Sequence, residues 1–157
     1  MIEMARIQVV ATHPTAKRDY EIEEVYEAGM VLTGTEVKSL RRGSCSLKDG
    51  FAHVKNGEVF LENVYIAPYE EGNRYNHEPR RTRKLLLKKR EIARLIGKTE
   101  QRGYTLIPLR IYFKNGYAKV ELAVAKGLAK YDKREKIKRK EQEREIQRAM
   151  REFQKGR

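Results

Sequence analysis

Short segments in which apolar and polar residues alternate recur along the chain, and this period of two is typical of half-buried β-strands. The clearest segment covers residues 117–125, where every second residue from Ala118 to Val124 is apolar. Asn-Gly pairs at 56–57 and 115–116 each separate two such segments. Because Asn and Gly tolerate the positive φ angles of a two-residue turn, the sequence predicts two β-hairpins.

Two helices are predicted between the strands. The first covers residues 33–42, where Thr33 and Glu36 have the spacing of a capping box and Gly43 ends the helix. The second covers residues 88–101, because its apolar residues follow the spacing of one helical face.

One long strand is predicted over residues 19–32, and Gly29 indicates a bulge or a break within it. Pro108 interrupts another segment, so that strand is predicted to lie at an edge or to contain a bulge. Residues 1–18 are predicted to be a short, irregular and flexible lead-in, because Pro14 lies in a polar run.

These elements together predict a fold that is mainly β with short helices (α+β). Short strands joined by tight turns favour a small closed antiparallel barrel of the oligonucleotide-binding type. We assign residues 19–126 to this barrel and residues 127–157 to a basic C-terminal tail.

The tail is rich in Glu, Lys, Arg and Gln and has a thin apolar stripe formed by Ile146, Ala149, Met150 and Phe153. A stripe this narrow is too small to fold onto a core. We therefore expect the tail to be mostly disordered alone and helical on a polyanion. The alternative is a permanent helix that packs on the barrel through this stripe.

The charge of the chain indicates its class of partner. The 157 residues include 35 Lys and Arg against 22 Asp and Glu, a net charge of +13. Basic residues concentrate at 80–90 and 126–157, which favours a polyanion, usually nucleic acid, over a merely soluble surface. The single Cys45 excludes an internal disulfide and fits a reducing cytoplasm. No apolar run is long enough to span a membrane.

The sequence lacks the common patterns of catalysis and metal binding. His13, His53 and His77 are far apart, and no cysteine or carboxylate motif completes a metal-binding set. There is neither a phosphate-binding glycine loop nor a nucleophile elbow. We therefore expect no enzyme, no metal and no cofactor. Tyrosines and arginines interleave at 65–83, a composition that favours contact with unpaired RNA bases.

Several short motifs follow one another in a fixed order between residues 17 and 140. They are Glu27-Ala28-Gly29, Thr33-Gly34-Thr35-Glu36-Val37-Lys38-Ser39-Leu40-Arg41, Asn76-His77-Glu78-Pro79, Arg83-Lys84-Leu85-Leu86-Leu87, Lys89-Arg90-Glu91, Tyr112-Phe113-Lys114-Asn115, Ala125-Lys126-Gly127 and Tyr131-Asp132-Lys133-Arg134. In these motifs and their order the sequence resembles the SmpB family (small protein B), the protein partners of transfer-messenger RNA (tmRNA).

The resemblance implies a non-enzymatic role in trans-translation, the rescue of stalled ribosomes. In this family the barrel holds the tRNA-like domain of tmRNA in the ribosomal A site. The basic tail enters the decoding centre and the empty mRNA channel, where it becomes helical. The implied partners are therefore tmRNA and the ribosome, without a membrane, and we expect a monomer.

The resemblance also implies which residues contact RNA. On the barrel, the residues that match the family's RNA-facing patch are Glu27, Glu36, Lys38, Ser39, Arg41, Arg83, Lys84, Leu86 and Arg90. In the tail, the residues that match the segment at the decoding centre are Gly127, Tyr131, Asp132, Lys133 and Arg134. Within the first set, Arg83, Lys84 and Arg90 are expected to hold phosphates. A helix cap is the alternative role for Glu36, and a core position is the alternative for Leu86.

The sequence departs from the family pattern at two places. The usual Asn-Lys-Lys/Arg-Ala-Arg-His before the first predicted strand is His13-Pro14-Thr15-Ala16-Lys17-Arg18 here, with two fewer basic groups. Two lysines that usually follow Gly127 are Leu128 and Ala129. Both changes affect the expected strength of contact with RNA or the ribosome more than the identity of the partner.

Two other functions stay open: a general tRNA- or rRNA-binding barrel acting in ribosome assembly, and a nucleic-acid enzyme with an unrecognised site.

Overall fold

The computed structural model describes residues 6–128 and 130–155, leaving aside the side chains of 72–74, 130–133, 135–136 and 154–155. The strands in these ranges are β1 (Ile7–Thr12), β2 (Tyr20–Met30), β3 (Cys45–Ser46), β4 (Phe51–Lys55), β5 (Glu58–Glu62), β6 (Tyr65–Ile66), β7 (Arg83–Leu86), β8 (Tyr104–Lys114) and β9 (Tyr117–Gly127). The α-helices are α1 (Ala16–Asp19), α2 (Gly34–Arg41), α3 (Lys89–Thr99) and α4 (Lys130–Lys155), and a 3₁₀ turn covers Glu70–Tyr75.

The main sheet is antiparallel and returns on itself. Its strand order is β1-β8-β4-β5-β7-β2-β9, and β8 also pairs with β9. Strands β8, β4, β5, β7, β2 and β9 therefore form a ring, with β1 added beside β8, while β3 and β6 pair separately. This ring is barrel-like and compatible with an oligonucleotide-binding fold, so the predicted mainly β fold is confirmed.

Both predicted hairpins are confirmed. Strands β4 and β5 meet at Asn56 and Gly57, whose φ angles are 52° and 74°. Strands β8 and β9 meet at Asn115 and Gly116, whose φ angles are 51° and 85°. These left-handed conformations are the ones that a tight two-residue turn requires, and they explain the choice of Asn and Gly.

Strand β8 contains the irregularity predicted at Pro108. Its register with β9 shifts between Pro108 and Arg110, which leaves Leu109 in a bulge. The edge alternative is wrong, because β8 pairs with β9 on one side and with β1 and β4 on the other. A proline is tolerated here because the bulge interrupts the hydrogen-bond ladder.

Two predictions about the N-terminal part of the chain are wrong. The lead-in is not irregular throughout, because residues 7–12 form β1 and pair with the distant strand β8. Strand β2 is continuous past Gly29, and its register with β9 shifts earlier, between Ile22 and Glu24. Gly29 instead permits a close approach of β7, since a Cβ at this position would lie 3.3 Å from the Cβ of Leu86.

The core fills the ring from inside and reaches the helices. Its fully buried members include Ala28, Val59, Leu61, Leu106, Ile111, Val120, Leu122 and Val124. Helices α2 and α3 pack on this core through Leu40 and Leu95. A smaller cluster forms where Ala16 of α1 meets Ile107 and Ala123, on the opposite face of β8 and β9.

The tail is one continuous helix, α4, over residues 130–155. The helical state expected of the tail is therefore present, and its residues of high helix propensity favour it. The packed alternative is wrong, because Ile146, Met150 and Phe153 are 56%, 63% and 68% exposed. Helix α4 touches the rest of the chain near α1. Within the described ranges, no helix is long and apolar enough to cross a membrane.

Candidate nucleic-acid interface

Helix α2 begins with the capping box that the sequence predicts. The backbone N–H of Glu36 donates to Thr33 Oγ1 at 3.4 Å, and the Thr33 N–H donates to Glu36 Oε1 at 2.8 Å. These reciprocal bonds satisfy two backbone donors that an uncapped helix would leave unpaired. The alternative role of Glu36 as a helix cap is therefore confirmed.

Glu36 is also the centre of a buried ionic cluster. Its carboxylate is inaccessible to solvent and accepts hydrogen bonds from Arg81 Nη2 at 2.7 Å and from Arg83 Nε. The Arg83 guanidinium is fully buried as well and donates to the carbonyls of Val64 and Pro79, at 2.7 and 3.0 Å. The cluster therefore ties α2 to β7 and to the loop that precedes β7.

The ionisation of Glu36 follows from these contacts. Burial alone would raise the pKa of its carboxyl. The hydrogen bonds from Arg81, from the Thr33 backbone and from Arg83 outweigh burial and lower the pKa to about 2. Glu36 is therefore charged at neutral pH and balances one of the two arginines.

Three residues predicted to face RNA are thus buried instead. Glu36 and Arg83 use their polar atoms inside the cluster, so the prediction that Arg83 holds a phosphate is wrong. Ser39 is also buried and donates to the carbonyl of Ala67 at 2.6 Å. These three residues therefore hold α2 in place from inside, while other residues of α2 lie on the surface.

The Asn76-His77-Glu78-Pro79 motif has a similar supporting role. The Asn76 side chain accepts from the Tyr69 N–H at 2.8 Å and donates to the Tyr69 carbonyl at 2.5 Å. His77 Nε2 lies 2.9 Å from the Ile66 carbonyl, and Nδ1 lies 2.8 Å from Thr35 Oγ1. Because a carbonyl only accepts, His77 Nε2 carries a proton and donates to the Ile66 carbonyl, so the motif is tied to β6.

The exposed residues of α2 present positive charge next to aromatic rings. The Arg41 guanidinium lies 4.6 Å from the centroid of Phe113. Lys38 and Arg42 lie 5.4 and 4.5 Å from the centroid of Tyr69. These cation–π contacts hold the basic side chains in place. Arg42 also pairs with Glu71 at 3.3 Å, whereas the ion pairs among the described residues include neither Lys38 nor Arg41.

A second group of predicted residues meets where β7, β2 and β9 run side by side. Gly29 is the register partner of both Leu86 and Lys119, and Glu27 lies two residues earlier on the same face. Leu86 is 54% exposed, so its core alternative is wrong. Lys119 was missed, although the alternation of β9 places it on the outer face with Glu121.

Glu27 organises the polar groups around it. Its carboxylate accepts from the Tyr112 hydroxyl at 2.5 Å and from Lys114 Nζ at 3.3 Å. The hydrogen bond from Tyr112 is the main reason why the pKa of Glu27 is lowered. The acid on this basic surface therefore positions Lys114 and Tyr112.

Other predicted phosphate ligands lie on exposed parts of the same region. Lys84 is exposed on β7, two residues before Leu86, and its Nζ lies 3.1 Å from Glu58 Oε1. Arg90 is exposed in the first turn of α3. Strand β2 leads directly into α2, so the two groups of exposed residues lie on connected elements.

The predicted decoding segment starts at the end of the barrel. Gly127 is the exposed last residue of β9, and Arg134 is exposed on α4. The side chains of Tyr131, Asp132 and Lys133 lie outside the described residues. The predicted contacts of these three residues therefore stay predictions.

The ring of strands, the exposed basic residues and helix α4 define a small, basic, mainly β protein with a cationic face and a basic helical extension. Its barrel-like ring is compatible with the oligonucleotide-binding fold. The model of the family described as SmpB protein matches residues 10–152. The chain therefore belongs to the SmpB family.

Known relatives match the chain over almost its full length. The SsrA-binding protein of Geobacillus thermodenitrificans is 65% identical over 148 residues, which cover 94% of this chain and 96% of the relative. That of Shouchella clausii is 56% identical over 156 residues, 99% of this chain and 100% of the relative. A chain of a solved structure described as "tmRNA-SmpB: a journey to the center of the bacterial ribosome" has 53% identity and a TM-score of 0.66, covering 81% of this chain and 93% of that one.

Proposed function

We propose that this protein binds the tRNA-like domain of tmRNA and delivers it to stalled ribosomes for trans-translation. The relatives named SsrA-binding protein and the solved tmRNA-SmpB structure support this proposal. The observation that carries it is the exposed cationic face on α2, β2, β7 and β9. The role is one of binding and delivery, without catalysis, in the cytoplasm where ribosomes work.

The cationic face is suited to a folded RNA with exposed backbone. Lys38, Arg41 and Lys119 supply positive charge for phosphates, and binding to phosphates releases counterions. Arg41 is stacked on Phe113, so its guanidinium loses little further freedom when it binds. The exposed Leu86 offers an apolar contact for a base or a ribose.

The buried cluster of Glu36, Arg81 and Arg83 supports this recognition from below. It fixes the angle of α2 relative to β7, and thus the distance between Arg41 and Leu86. A rigid surface of this kind favours one RNA shape over others, whereas mobile lysines would bind most polyanions.

The second part of the proposal concerns α4. This helix carries many basic residues and leaves its described side chains exposed. We assign Gly127, Tyr131, Asp132, Lys133 and Arg134 to the decoding centre and the rest of the helix to the empty mRNA channel. Tyr131 then stacks on a ribosomal base, and Asp132 orients its basic neighbours.

Deletion of residues 128–157 tests this division between barrel and tail. We expect nearly unchanged binding of tmRNA by the truncated chain and no tagging of peptides on stalled ribosomes. The full-length chain serves as the control in both assays. Parallel loss of binding and tagging would contradict the division.

A competition experiment distinguishes this function from general binding of tRNA or rRNA. Labelled tRNA-like domain is bound to the full chain at physiological salt, and deacylated tRNA is added in excess. Binding that survives the competitor supports recognition of tmRNA. Equal displacement by tRNA supports the general RNA-binding alternative, because charge alone would then account for the affinity.

A further inference from the structure

A cavity of about 550 Å³ lies between the β1–α1 connection, the bulge of β8 and helix α4. Its size is that of ordinary ligand sites. Pro14, Ala16 and Leu109 contribute apolar walls, and His13 lines the cavity beside them. It is separate from the cationic face of α2, β2, β7 and β9.

The backbone of this cavity is tied together at its base. The His13 N–H donates to the carbonyl of Leu109 at 2.7 Å, so the bulge in β8 anchors the residue before Pro14. This bond fixes the connection between β1 and α1 against the sheet. The walls of the cavity are therefore held by the main sheet and do not depend on a free loop.

The state of the His13 ring follows from a second hydrogen bond. The Thr15 N–H donates to His13 Nδ1 at 3.2 Å, so Nδ1 carries no proton and the neutral ring carries its proton on Nε2. His13 is nearly buried, and burial lowers its pKa, although Asp19 and Asp49 oppose the shift. At neutral pH the cavity thus contains a neutral imidazole with one hydrogen-bond donor, Nε2–H.

The cavity is also surrounded by positive charge. The basic residues that line it are Lys17, Arg18, Arg110 and Lys140. Arg18 pairs with Asp19 at 3.2 Å, and Arg110 pairs with Glu121 at 2.8 Å. The ion pairs found among the described residues include neither Lys17 nor Lys140. An anionic group at the mouth of the cavity would therefore meet two ammonium groups, one from α1 and one from α4.

The apolar slot and the neutral hydrogen-bond donor match a nucleotide base, and the two cations at the rim match its phosphate. We propose that this cavity binds one unstacked nucleotide of an RNA strand. The base lies between Pro14 and Leu109 and accepts a hydrogen bond from His13, while the phosphate lies between Lys17 and Lys140.

The first experiment uses the isotope-labelled full chain and free ligands. The four nucleoside 5′-monophosphates and inorganic phosphate are titrated separately, and backbone amide and His13 ring resonances are recorded. At least one nucleotide should shift residues 12–18 and 109 saturably, at least about tenfold more tightly than phosphate, because the base adds its own contacts. Equal affinity for phosphate, or no saturable shift, would overturn the proposal.

A second arm distinguishes RNA from a free nucleotide as the natural source. A short RNA hairpin with one unpaired nucleotide is compared with the same hairpin fully paired, again with the full chain. Tighter binding of the hairpin with the unpaired nucleotide, with shifts at residues 12–18, supports the proposal. Equal binding of the two hairpins overturns it as an RNA site and leaves a nucleotide pocket only.

Two variants locate the effect without disturbing the barrel. His13→Leu removes the ring N–H donor at similar volume and should weaken nucleotide binding about tenfold, the effect of one lost hydrogen bond. Lys140→Gln, on the exposed helix α4, should weaken it about threefold or more by removing one cation. Lys55→Gln, on β4 outside the cavity, is the control. Unchanged nucleotide affinity in both test variants would refute the site.

The same variants separate this proposal from the proposed function. Both should keep the affinity of the full chain for the tRNA-like domain, because the cavity lies outside the cationic face. A failure of nucleotide binding with intact binding of that domain overturns the cavity alone. Loss of tRNA-like domain binding in the His13→Leu variant would contradict the separation of the two surfaces.

Discussion

Replacement of Glu36 by Gln removes one charge from the buried cluster and almost no volume. The carboxylate is fully buried and accepts from Arg81 and Arg83. In the variant, Arg83 stays buried with a positive charge that no carboxylate balances. The –NH₂ group of the new side-chain amide would also face donors, so at least one hydrogen bond of the cluster is lost.

The size of the effect follows from the pKa of Glu36. The pKa falls from 4.5 to about 2 in the folded chain. A difference of about 2.5 units corresponds to about 3 kcal/mol of the free energy of unfolding. Loss of one partner from a buried ion pair typically costs about 3–5 kcal/mol, which agrees with this value. We therefore expect Glu36→Gln to destabilise the fold by about 3 kcal/mol.

Urea unfolding followed by circular dichroism measures this loss. With a slope of about 1–3 kcal/mol per molar urea, the midpoint should fall by about 1–3 M. Glu58→Gln is the matched control, because Glu58 pairs with Lys84 on the surface, where the two side chains are 49% and 44% exposed. A surface pair of this kind contributes about 0–1 kcal/mol.

The pH dependence gives an independent check with a defined sign. A carboxyl whose pKa is depressed in the folded state contributes its stability above pH 4.5 and loses it as pH falls toward 2. The parent chain should lose this contribution across that window, and Glu36→Gln should lack the corresponding slope. If Glu36→Gln and Glu58→Gln destabilise equally, or the slope persists in the variant, the cluster does not have this energetic role.

Four further substitutions test the core, a turn, a helix and the interface. Leu122→Ala empties a fully buried position and should cost about 2–5 kcal/mol in urea unfolding; a cost below about 1 kcal/mol would mean that the core relaxes into the space. Gly116→Ala should destabilise the fold by about 1 kcal/mol, because the turn holds this residue at φ 85°. Gly97→Ala should stabilise the fold by up to about 1 kcal/mol, because in α3 a Cβ at this position meets nothing within 4 Å. A change of the same sign in both variants would contradict the claim that the turn requires glycine. Leu86→Ala should weaken binding of the tRNA-like domain several-fold without lowering the unfolding midpoint, because this side chain is 54% exposed.

Local patterns in the sequence were sufficient for the hairpins and for the start of α2. Asn56-Gly57 and Asn115-Gly116 form turns because their own backbone preferences require no distant partner. The capping box at Thr33 and Glu36 lies within four consecutive residues. The bulge at Pro108 follows from the missing N–H of proline itself.

The pairing of strands that are distant in the sequence could not be predicted from such local patterns. Strand β1 is a strand because β8, about a hundred residues later, supplies its hydrogen-bond partners, for example Tyr112 opposite Val9. Residues 7–12 do not alternate strictly between apolar and polar, and Ile7 and Val9 stay 48% and 47% exposed, so the sequence lacks the pattern of a half-buried strand here. Lys119 lies near Leu86 only because β7 and β9 pair with the same part of β2.

The candidate site divides in the same way. Its motifs and its positive charge can be read from the sequence, because they are properties of residue types and their order. The sequence by itself therefore determined the family, the mainly β fold and the RNA-binding character. Only the tertiary structure decided that Glu36 and Arg83 are buried while Leu86 is exposed, because burial depends on which distant strands cover a residue. The cavity at His13 also depends on the tertiary structure, since it forms only where β1, the bulge of β8 and α4 meet.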